Sequence, residues 1–447
     1  MFTGKKILVC GMAKSGQSAA RLLTEMGAYV TVQDMKEEID WAYDPVSVGL
    51  EIYLGKNPDD IVGSFDLIII SPGITVYAPF VKKAEELGIP VWGEAELAYR
   101  LCPCPMVAIT GTNGKTTVTT LVGEILKLRN PGTVVGGNIG IPLTELVTTL
   151  TPGNIVVAEI SSFQLETIAA FKPAISAVLN MTEDHLDRHH TMENYIAMKS
   201  RIFENQSPGD ICVLNYDNEI TREMKPPGKI VYFSAKEQLK EGVYLRDGYI
   251  VAKLSANAPE QQIVNISGLK MMAENALAAT ALSLCAGASA ADIATGLKTS
   301  CGVPHRMEYV ATIDGAEYYN DSKATNTDAA IKAIEALSPP IILIGGGYDK
   351  NTDFTPWVKS FNGRVSDLIV FGQTARKIVD TCDVLGFTNY ESVSSLQQAV
   401  ARAKEKAKPG HKVLLSPACA SLDMFKNFEE RGDMFKQECM KFIGKGK

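Results

Sequence analysis

The sequence predicts an α/β protein of three domains, each built on a mostly parallel sheet. Short apolar runs alternate with helical patterns along the 447 residues, which is typical of β-α-β units. Glycine-rich turns at residues 11–16 and 111–114 each join a strand to a helix, as nucleotide-binding sheets do. We predict a Rossmann-like N-terminal domain (1–93), a central P-loop mononucleotide-binding domain (94–301) and a C-terminal Rossmann-like α/β domain (302–447).

Composition excludes several classes of protein. The net charge of −7 argues against bulk nucleic-acid binding, which needs a basic surface. No apolar run approaches the length of a membrane span, and the N-terminus leads directly into a strand without a signal-peptide pattern. The nine cysteines are scattered, and the closest pair, Cys102 and Cys104, suits neither a zinc site nor a redox pair. We expect reduced thiols in a cytoplasmic protein that binds neither nucleic acid nor membrane.

The first domain begins with a strand at residues 6–10, a glycine-rich turn and a helix over 17–26. Ala13 replaces the middle glycine of the dinucleotide fingerprint, which is therefore incomplete. Asp34 closes the second strand (29–33), about where dinucleotide-binding motifs have an acidic residue that contacts a ribose hydroxyl. A helix-capping turn with a solvated Asp explains the same pattern equally well. A third strand (65–70) opens into Ser71, Pro72 and Gly73, which are candidate ligand contacts. A helix (81–87) and a strand (90–92) complete this sheet.

The central domain opens with a buried strand (106–109), a tight turn and a helix (116–128). This arrangement points backbone N–H groups at one spot and predicts an anion site for ATP phosphates. Lys115 would reach the β/γ-phosphates and Thr116 would bind Mg²⁺. Ile109 stands where the usual P-loop has its first glycine, so the loop is a variant. The predicted ATP contacts here are Gly111, Thr112, Asn113, Gly114, Lys115, Thr116 and Thr117.

Polar residues follow the next strands of this domain. Glu159 ends an apolar strand (154–160), where a carboxylate completes a Mg²⁺ shell in phosphate-loop enzymes. A second glycine-rich loop (136–142) either brings Asn138 to a ligand or is a surface turn. A strand over 174–180 opens into a segment with three of the five histidines. We take His185 as the candidate metal ligand and expect His189 and His190 to be surface residues.

The remaining elements carry weaker signals. A helix over 192–203 contains Lys199, whose plain interpretation is a solvated helix face. Short β-like runs (232–266) suggest peripheral hairpins, and an Ala-rich helix follows over 270–285. The third domain has strands near 318–320, 341–344, 368–371 and 412–415 and a helix over 327–337. The residues that follow these strand ends would suit a small acidic substrate. Each of the lysines alone is more typical of a solvated surface. The residues are Asp321, Lys323, Thr325, Lys350, Ser421 and Leu422.

Together these motifs resemble the Mur ligase family, the ATP-dependent amide-forming enzymes of bacterial cell-wall synthesis. The resemblance rests on residues 111–117, 159–164, 180–185 and 415–432, and it covers essentially the whole chain. Met271 and Met272 replace a His-Asn pair of the family, whereas Asn275 is retained.

The resemblance implies an ADP-forming acid–D-amino-acid ligase of peptidoglycan synthesis, a process that sets cell shape and division. ATP and Mg²⁺ would activate UDP-N-acetylmuramoyl-L-alanine as an acyl phosphate, which D-glutamate would capture. The implied catalytic residues are Lys115, His185 and a carbamylated Lys199, and the metal ligands are Thr116, Glu159, His185 and Lys199. Asn275, Arg306 and Asp321 would join the ATP site.

The resemblance also implies the substrate contacts. The acceptor site would comprise Ser15, Asp34, Ser71, Pro72, Gly73, Asn138, Ser161 and Gln164. The D-glutamate site would comprise Lys323, Thr325, Lys350, Ser421, Leu422 and Phe428.

Two alternatives stay open at the level of sequence. One is a sister ligase, either another Mur ligase or a folylpolyglutamate-type enzyme, and the other is a nucleotide-regulated binding protein without productive hydrolysis. We expect a bacterial, cytoplasmic monomer that acts on small-molecule substrates.

Overall fold

The computed structural model describes residues 1–269, 271–300 and 302–443. The chain divides after Ser300 into two compact units. The first unit contains a five-stranded and a nine-stranded sheet, and the second contains a six-stranded sheet. No helix in the described part of the chain is long and apolar enough to cross a membrane.

The first sheet is entirely parallel, with strand order β3-β2-β1-β4-β5. The edge strand β3 was not predicted from the sequence, because it is solvent-accessible and its apolar run is only three residues long. The elements are β1 (Lys6–Cys10), α1 (Lys14–Glu25), β2 (Tyr29–Asp34), β3 (Glu51–Leu54), β4 (Leu67–Ile70), α2 (Pro79–Glu86), β5 (Val91–Gly93) and α3 (Glu94–Leu101).

The second sheet has the order β14-β13-β12-β11-β10-β9-β6-β8-β7 and is parallel from β12 to β7. Its elements to α8 are β6 (Met106–Thr110), α4 (Lys115–Lys127), β7 (Thr133–Gly137), α5 (Leu143–Leu146), β8 (Ile155–Glu159), α6 (Ser162–Leu165), β9 (Ile175–Val178), α7 (Leu186–His189) and α8 (Met192–Ser200). They continue with β10 (Ile211–Asn215), α9 (Glu219–Arg222), β11 (Lys229–Ser234), β12 (Gly242–Arg246), β13 (Tyr249–Lys253), β14 (Gln261–Asn265), α10 (Ala273–Cys285) and α11 (Ala290–Thr299).

The predicted peripheral hairpins are present, since β12, β13 and β14 pair antiparallel at one edge of this sheet. The Ala-rich helix α10 begins at Ala273, and its predicted first residue, Lys270, lies outside the described residues. Strand β6 lies between β8 and β9 and is buried along its whole length. The phosphate loop therefore emerges from the interior of the sheet.

The second unit has the strand order β15-β16-β20-β17-β18-β19, in which only the β15–β16 pair of the described ladders is antiparallel. Apolar side chains form a separate core on each face of this sheet. The elements are β15 (Glu308–Ile313), β16 (Ala316–Asn320), α12 (Thr327–Ala336), β17 (Ile341–Gly345), α13 (Thr355–Lys359), β18 (Val365–Val370), α14 (Ala375–Leu385), β19 (Tyr390–Ser392), α15 (Leu396–Lys406), β20 (Lys412–Leu415) and α16 (Phe428–Met440).

Candidate active site

The turn between β6 and α4 requires glycine at two positions. The backbone φ angle is +148° at Gly111 and +85° at Gly114, which is the N-cap of α4. A side chain at Gly111 would begin 3.1 Å from the Leu179 backbone nitrogen, and one at Gly114 would begin 2.6 Å from Asn275 Oδ1. The variant loop therefore keeps the strand–turn–helix geometry that directs free N–H groups of a helix at an anion.

Asn180, two residues after the end of β9, holds this loop in shape. Its side-chain oxygen accepts a hydrogen bond from Asn113 N (2.8 Å), and its amide donates to Asn113 O (3.0 Å). Its backbone carbonyl accepts from Thr112 N at 3.0 Å, and the Thr112 hydroxyl lies 3.2 Å from Tyr195 Oη. Sequence reasoning treats Asn180 only as part of a motif. Its place at the end of a strand beside β6 is the signal that would have indicated this role.

Two lysines converge on one carbonyl of the loop. Lys115 Nζ donates to the Gly111 and Thr112 carbonyl oxygens, each at 2.9 Å. Lys199 Nζ donates to the same Gly111 oxygen at 2.8 Å, although its side chain comes from α8 and is only 2% exposed. The interpretation of Lys199 as a solvated helix residue is therefore wrong, because α8 packs this residue against the phosphate loop.

The surroundings of Lys199 favour a neutral amine. Burial lowers the pKa of Lys199 well below its ordinary value, and the nearby positive charge of Lys115 lowers it further. Asp184 and Glu159 act in the opposite direction. A neutral amine is a nucleophile, which an ordinary surface ammonium is not.

Glu159 lies at the end of β8 and pairs in register with Ile109 of β6. It is 2% exposed, and Asn138 Nδ2 donates to its Oε1 at 2.8 Å. Thr116, in the first turn of α4, is also buried. Asn138 lies in an exposed loop and beside the Glu159 carboxylate, and its contact with a ligand stays a prediction.

The three histidines of the histidine-rich segment lie in three different environments. His185 has a left-handed backbone (φ +54°), and its ring lies 4.9 Å from that of Phe163. His190 is exposed, as predicted. The prediction for His189 is wrong: it is 3% exposed and its Nε2 lies 3.0 Å from the Ser162 hydroxyl, because the short helix α7 turns it inward.

In the first sheet, the predicted acceptor residues brace the turn between β1 and α1. Asp34 Oδ2 accepts a hydrogen bond from Met12 N at 2.7 Å, and the Ser71 hydroxyl donates to Gly11 O at 2.7 Å. The Asp34 carboxylate is half-buried and stabilises the turn by this hydrogen bond, so it is not a fully solvated side chain. Contact with a ribose stays a prediction.

Two segments of the central domain adjoin this acceptor region. Ser161 and Gln164 form a reciprocal cap on α6, with Gln164 N donating to Ser161 Oγ (3.2 Å) and Ser161 N to Gln164 Oε1 (2.9 Å). Arg188, which pairs with Glu166, donates to the Ile74 carbonyl at 2.8 Å. The Ser71–Gly73 turn is therefore tied to the central domain by a residue that sequence reasoning missed.

In the second unit, Asp321 lies directly after β16 and is 5% exposed. Its Oδ1 accepts from Met307 N (3.2 Å) and its Oδ2 from the Ser416 hydroxyl (2.8 Å). Burial raises the pKa of Asp321 to about 6, against the opposing effect of the Arg306 charge. The predicted ATP residues Asp321 and Arg306 are therefore neighbours.

A buried arginine joins the predicted D-glutamate segments. Arg431 is fully buried, and burial lowers its pKa to about 10. It donates to Ser322 Oγ (2.9 Å), to Ser322 O (2.7 Å) and to Ala420 O (3.2 Å). Lys323 Nζ lies 5.1 Å from the centre of the Phe428 ring.

Other predicted contacts differ in exposure. Thr325 and Lys350 are half-buried, and Ser421 is buried. Leu422 is 63% exposed. Its contribution to a site stays a prediction.

Parallel sheets with polar residues at their strand ends, and a phosphate-type loop in the middle sheet, define a nucleotide-binding α/β protein. Three family models match: "Mur ligase MurD-like, N-terminal domain" over residues 5–93, "Mur ligase middle domain" over 109–283 and "Mur ligase, glutamate ligase domain" over 305–419. The chain belongs to the Mur ligase family.

Curated relatives and solved structures agree with this assignment. The chain is 46% identical over 444 residues to a UDP-N-acetylmuramoylalanine--D-glutamate ligase of Alkaliphilus metalliredigens, covering 97% of each chain. It is 46% identical over 450 residues to the ligase of the same name from Thermoanaerobacter pseudethanolicus, covering 97% of this chain and 98% of the relative. A UDP-N-acetylmuramate-alanine ligase from Thermotoga maritima shares the fold, with a TM-score of 0.60 at 19% identity and coverage of 98% and 99%.

Proposed function

We propose that this protein is the ATP-dependent, ADP-forming ligase that adds D-glutamate to UDP-N-acetylmuramoyl-L-alanine in peptidoglycan synthesis. The convergence of Lys115 and the buried Lys199 on the Gly111 carbonyl is the observation that carries the proposal. A phosphate loop needs one lysine for charge neutralisation, and a second lysine with a lowered pKa indicates additional chemistry. The names of the curated relatives supply the substrates.

The reaction needs an activated carboxyl group because a free carboxylate is a poor electrophile. The acceptor carboxylate attacks the γ-phosphorus of ATP, ADP leaves, and an acyl phosphate forms. The D-glutamate amine then attacks the acyl carbon, and phosphate leaves as the amide forms. Lys115 and the N–H groups at the start of α4 would hold the transferred group in line.

The loop fits ATP phosphates in a further respect. The Thr117 hydroxyl, in the first turn of α4, is buried and has no hydrogen-bond partner within the described residues. Buried hydroxyls are normally satisfied, so a ligand at the helix terminus would supply the missing partner. Asn275, whose Oδ1 lies beside Gly114, is a further proposed ATP contact. The roles of Arg306 and Asp321 stay predictions from the family resemblance.

The donor chemistry also fits Mg²⁺, which prefers oxygen ligands. Thr116, Glu159, His185 and a modified Lys199 would hold it, and it would neutralise charge on the phosphates. The described residues contain no cluster of three or more His, Cys, Asp or Glu side chains around one point. Phosphate and carbamate oxygens are therefore expected to complete the shell, and EDTA should abolish ATP-dependent phosphate release.

We assign the carbamate to Lys199. The neutral amine attacks CO₂, an N–C bond forms and one proton is released from nitrogen, which converts a neutral group into an anion beside Glu159. With ¹³C-labelled bicarbonate, wild-type protein should show a carbamate carbon resonance that Lys199→Met lacks. A wild-type spectrum without that resonance, at saturating Mg²⁺ and ATP analogue, would contradict the assignment.

The acceptor and D-glutamate contacts stay as predicted from the family resemblance. Ser15, Asp34, the Ser71–Gly73 turn, Asn138, Ser161 and Gln164 would hold the acceptor. Lys323, Thr325, Lys350, Ser421, Leu422 and Phe428 would hold D-glutamate. The bacterial cytoplasm, a monomeric state and the domain boundaries are likewise predictions.

The decisive experiment is an amino-acid panel with UDP-N-acetylmuramoyl-L-alanine as acceptor, scored by ATP-dependent phosphate release and by product mass. The proposal predicts turnover with D-glutamate and background with L-glutamate, L-alanine and meso-diaminopimelate. Turnover with another amino acid would indicate a sister ligase. Slow ADP formation that ignores the acceptor and is unchanged in Lys115→Ala would indicate a nucleotide-regulated binding protein.

A further inference from the structure

Glu94 is a buried carboxylate that the proposed mechanism does not use. It is the first residue of α3, at the start of the central domain, and is only 2% exposed. Burying an anion is costly unless hydrogen bonds compensate it. The compensation comes from three separate segments of the first unit.

Each of these segments begins a helix. Burial raises the pKa of Glu94, and hydrogen bonding from the Ser15 hydroxyl, in the first turn of α1, is among the effects that oppose this rise. The N–H groups of Leu143 and Thr144, which begin α5, also donate, the second to Oε1 at 3.4 Å. Gln164 Nε2, in α6, donates to Oε2 at 3.3 Å. Every one of these groups is a donor, so the carboxylate acts as a shared acceptor for three helix starts.

The three segments carry predicted acceptor contacts. Ser15 is a predicted acceptor contact, and α5 directly follows the loop that contains Asn138. Gln164 and Ser161 belong to the cap of α6. A long acceptor with a diphosphate at one end and a reacting carboxyl group at the other needs these segments at fixed separations.

We propose that Glu94 is a positioning residue for the acceptor, which sets the placement of the Ser15 turn relative to the Asn138 loop and the Ser161–Gln164 cap. This inference rests on the proposed function, because it takes the UDP-linked acceptor as the ligand. Glu94 acts through Ser15 and its neighbours and makes no contact with the reacting atoms.

Glu96 supplies a matched control. It lies one residue beyond Ala95 in the same helix and is fully buried. Its carboxylate accepts from the N–H groups of Ala169, Ala170 and Phe171 and pairs with Arg100. None of these four partners is a predicted acceptor contact, so Glu96→Gln tests the loss of a buried charge from α3 without disturbing the acceptor segments.

The test is equilibrium binding of UDP-N-acetylmuramoyl-L-alanine by calorimetry, together with steady-state kinetics. Glu94→Gln places an amide donor among existing donors, and we expect it to raise the acceptor Kd and KM about tenfold. The KM for ATP should change less than about twofold. Glu96→Gln should leave the acceptor Kd within about twofold of wild type.

A double-mutant cycle with Ser15→Ala separates positioning from general destabilisation. If Glu94 acts through Ser15, Glu94→Gln should raise the acceptor Kd by a smaller factor in the Ser15→Ala background than in wild type. Additive effects of the two substitutions on the acceptor Kd would overturn the inference, as would an acceptor Kd that is unchanged in Glu94→Gln. It would also be overturned if Glu94→Gln and Glu96→Gln weakened the binding of ATP and of the acceptor to the same extent. Wild-type protein that binds the acceptor but forms no product would instead contradict the proposed function.

Discussion

At the scale of single residues, the phosphate loop brings two lysines to one carbonyl oxygen. Lys115 and Lys199 would repel each other as two ammonium groups, and burial makes that repulsion more costly at Lys199. A neutral Lys199 relieves the repulsion and leaves Lys115 as the cation for phosphate. This division of roles between two residues of the same type has direct consequences for mutants.

Lys115→Ala should lower ATP- and acceptor-dependent phosphate release at least a hundredfold, because the transferred phosphoryl group loses its cation. Lys127→Ala is the control: it removes an exposed lysine from the last turn of the same helix and should keep phosphate release within about twofold. Lys115→Ala with more than half of wild-type activity would contradict the assigned role.

Asp321 should make stability depend on pH. Its pKa is about 6 in the folded state because of burial, above the ordinary value of about 4. Between these values the unfolded chain releases the proton first, so the free energy of unfolding falls as pH rises, by up to about 3 kcal/mol. This contribution is fully present below about pH 4 and is lost as the pH passes the folded-state pKa.

Asp321→Asn tests this, since an amide does not titrate. Urea unfolding from pH 4 to 7 should show the mutant gaining stability relative to wild type as pH rises through 6. A constant difference across that range would show that Asp321 keeps an ordinary pKa.

At the scale of elements, the strand–turn–helix from β6 to α4 depends on Gly114. Gly114→Ala would combine a left-handed backbone with a contact 2.6 Å from Asn275 Oδ1, and we expect the KM for ATP to rise about tenfold. Gly88→Ala is the matched control, because it has φ +70° and open space around its added methyl group. The left-handed backbone should cost each variant about 1–2 kcal/mol of stability, and the close contact adds to this cost in Gly114→Ala only. An ATP defect shared by both variants would contradict the local explanation.

At this scale, the sequence predicts some strands and helices accurately and others not at all. It placed β1, β6, β20 and α4 within a residue or two because each has an apolar run or a glycine signal of its own. It missed β3, an accessible edge strand whose apolar run is only three residues long. Asn180 and Glu94 were missed because their partners are distant in sequence.

At the scale of the whole molecule, each unit has its own apolar cores. Ile125 belongs to a core of the first unit and Trp357 to a core of the second, and both are fully buried. Trp357→Ala should cost about 3–5 kcal/mol and Ile125→Ala about 2–5 kcal/mol. Because the cores are separate, each loss should be concentrated in its own unit.

Hydrogen exchange followed by mass spectrometry checks this. Trp357→Ala should accelerate exchange mainly in peptides after Ser300, and Ile125→Ala mainly in peptides before it. Equal acceleration in both units by either substitution would indicate a single cooperative unit.

The sequence alone determined the class of fold and the phosphate loop, because periodicity and glycine placement act over a few neighbouring residues. Its motifs, taken together, also showed the resemblance to the family. Only the tertiary structure decided that Lys199 and His189 are buried, that Asp34 braces a turn, and that Glu94 joins three helix starts. The physical reason is that burial and hydrogen-bond partners depend on which elements pack together. A local pattern in the chain does not contain that information.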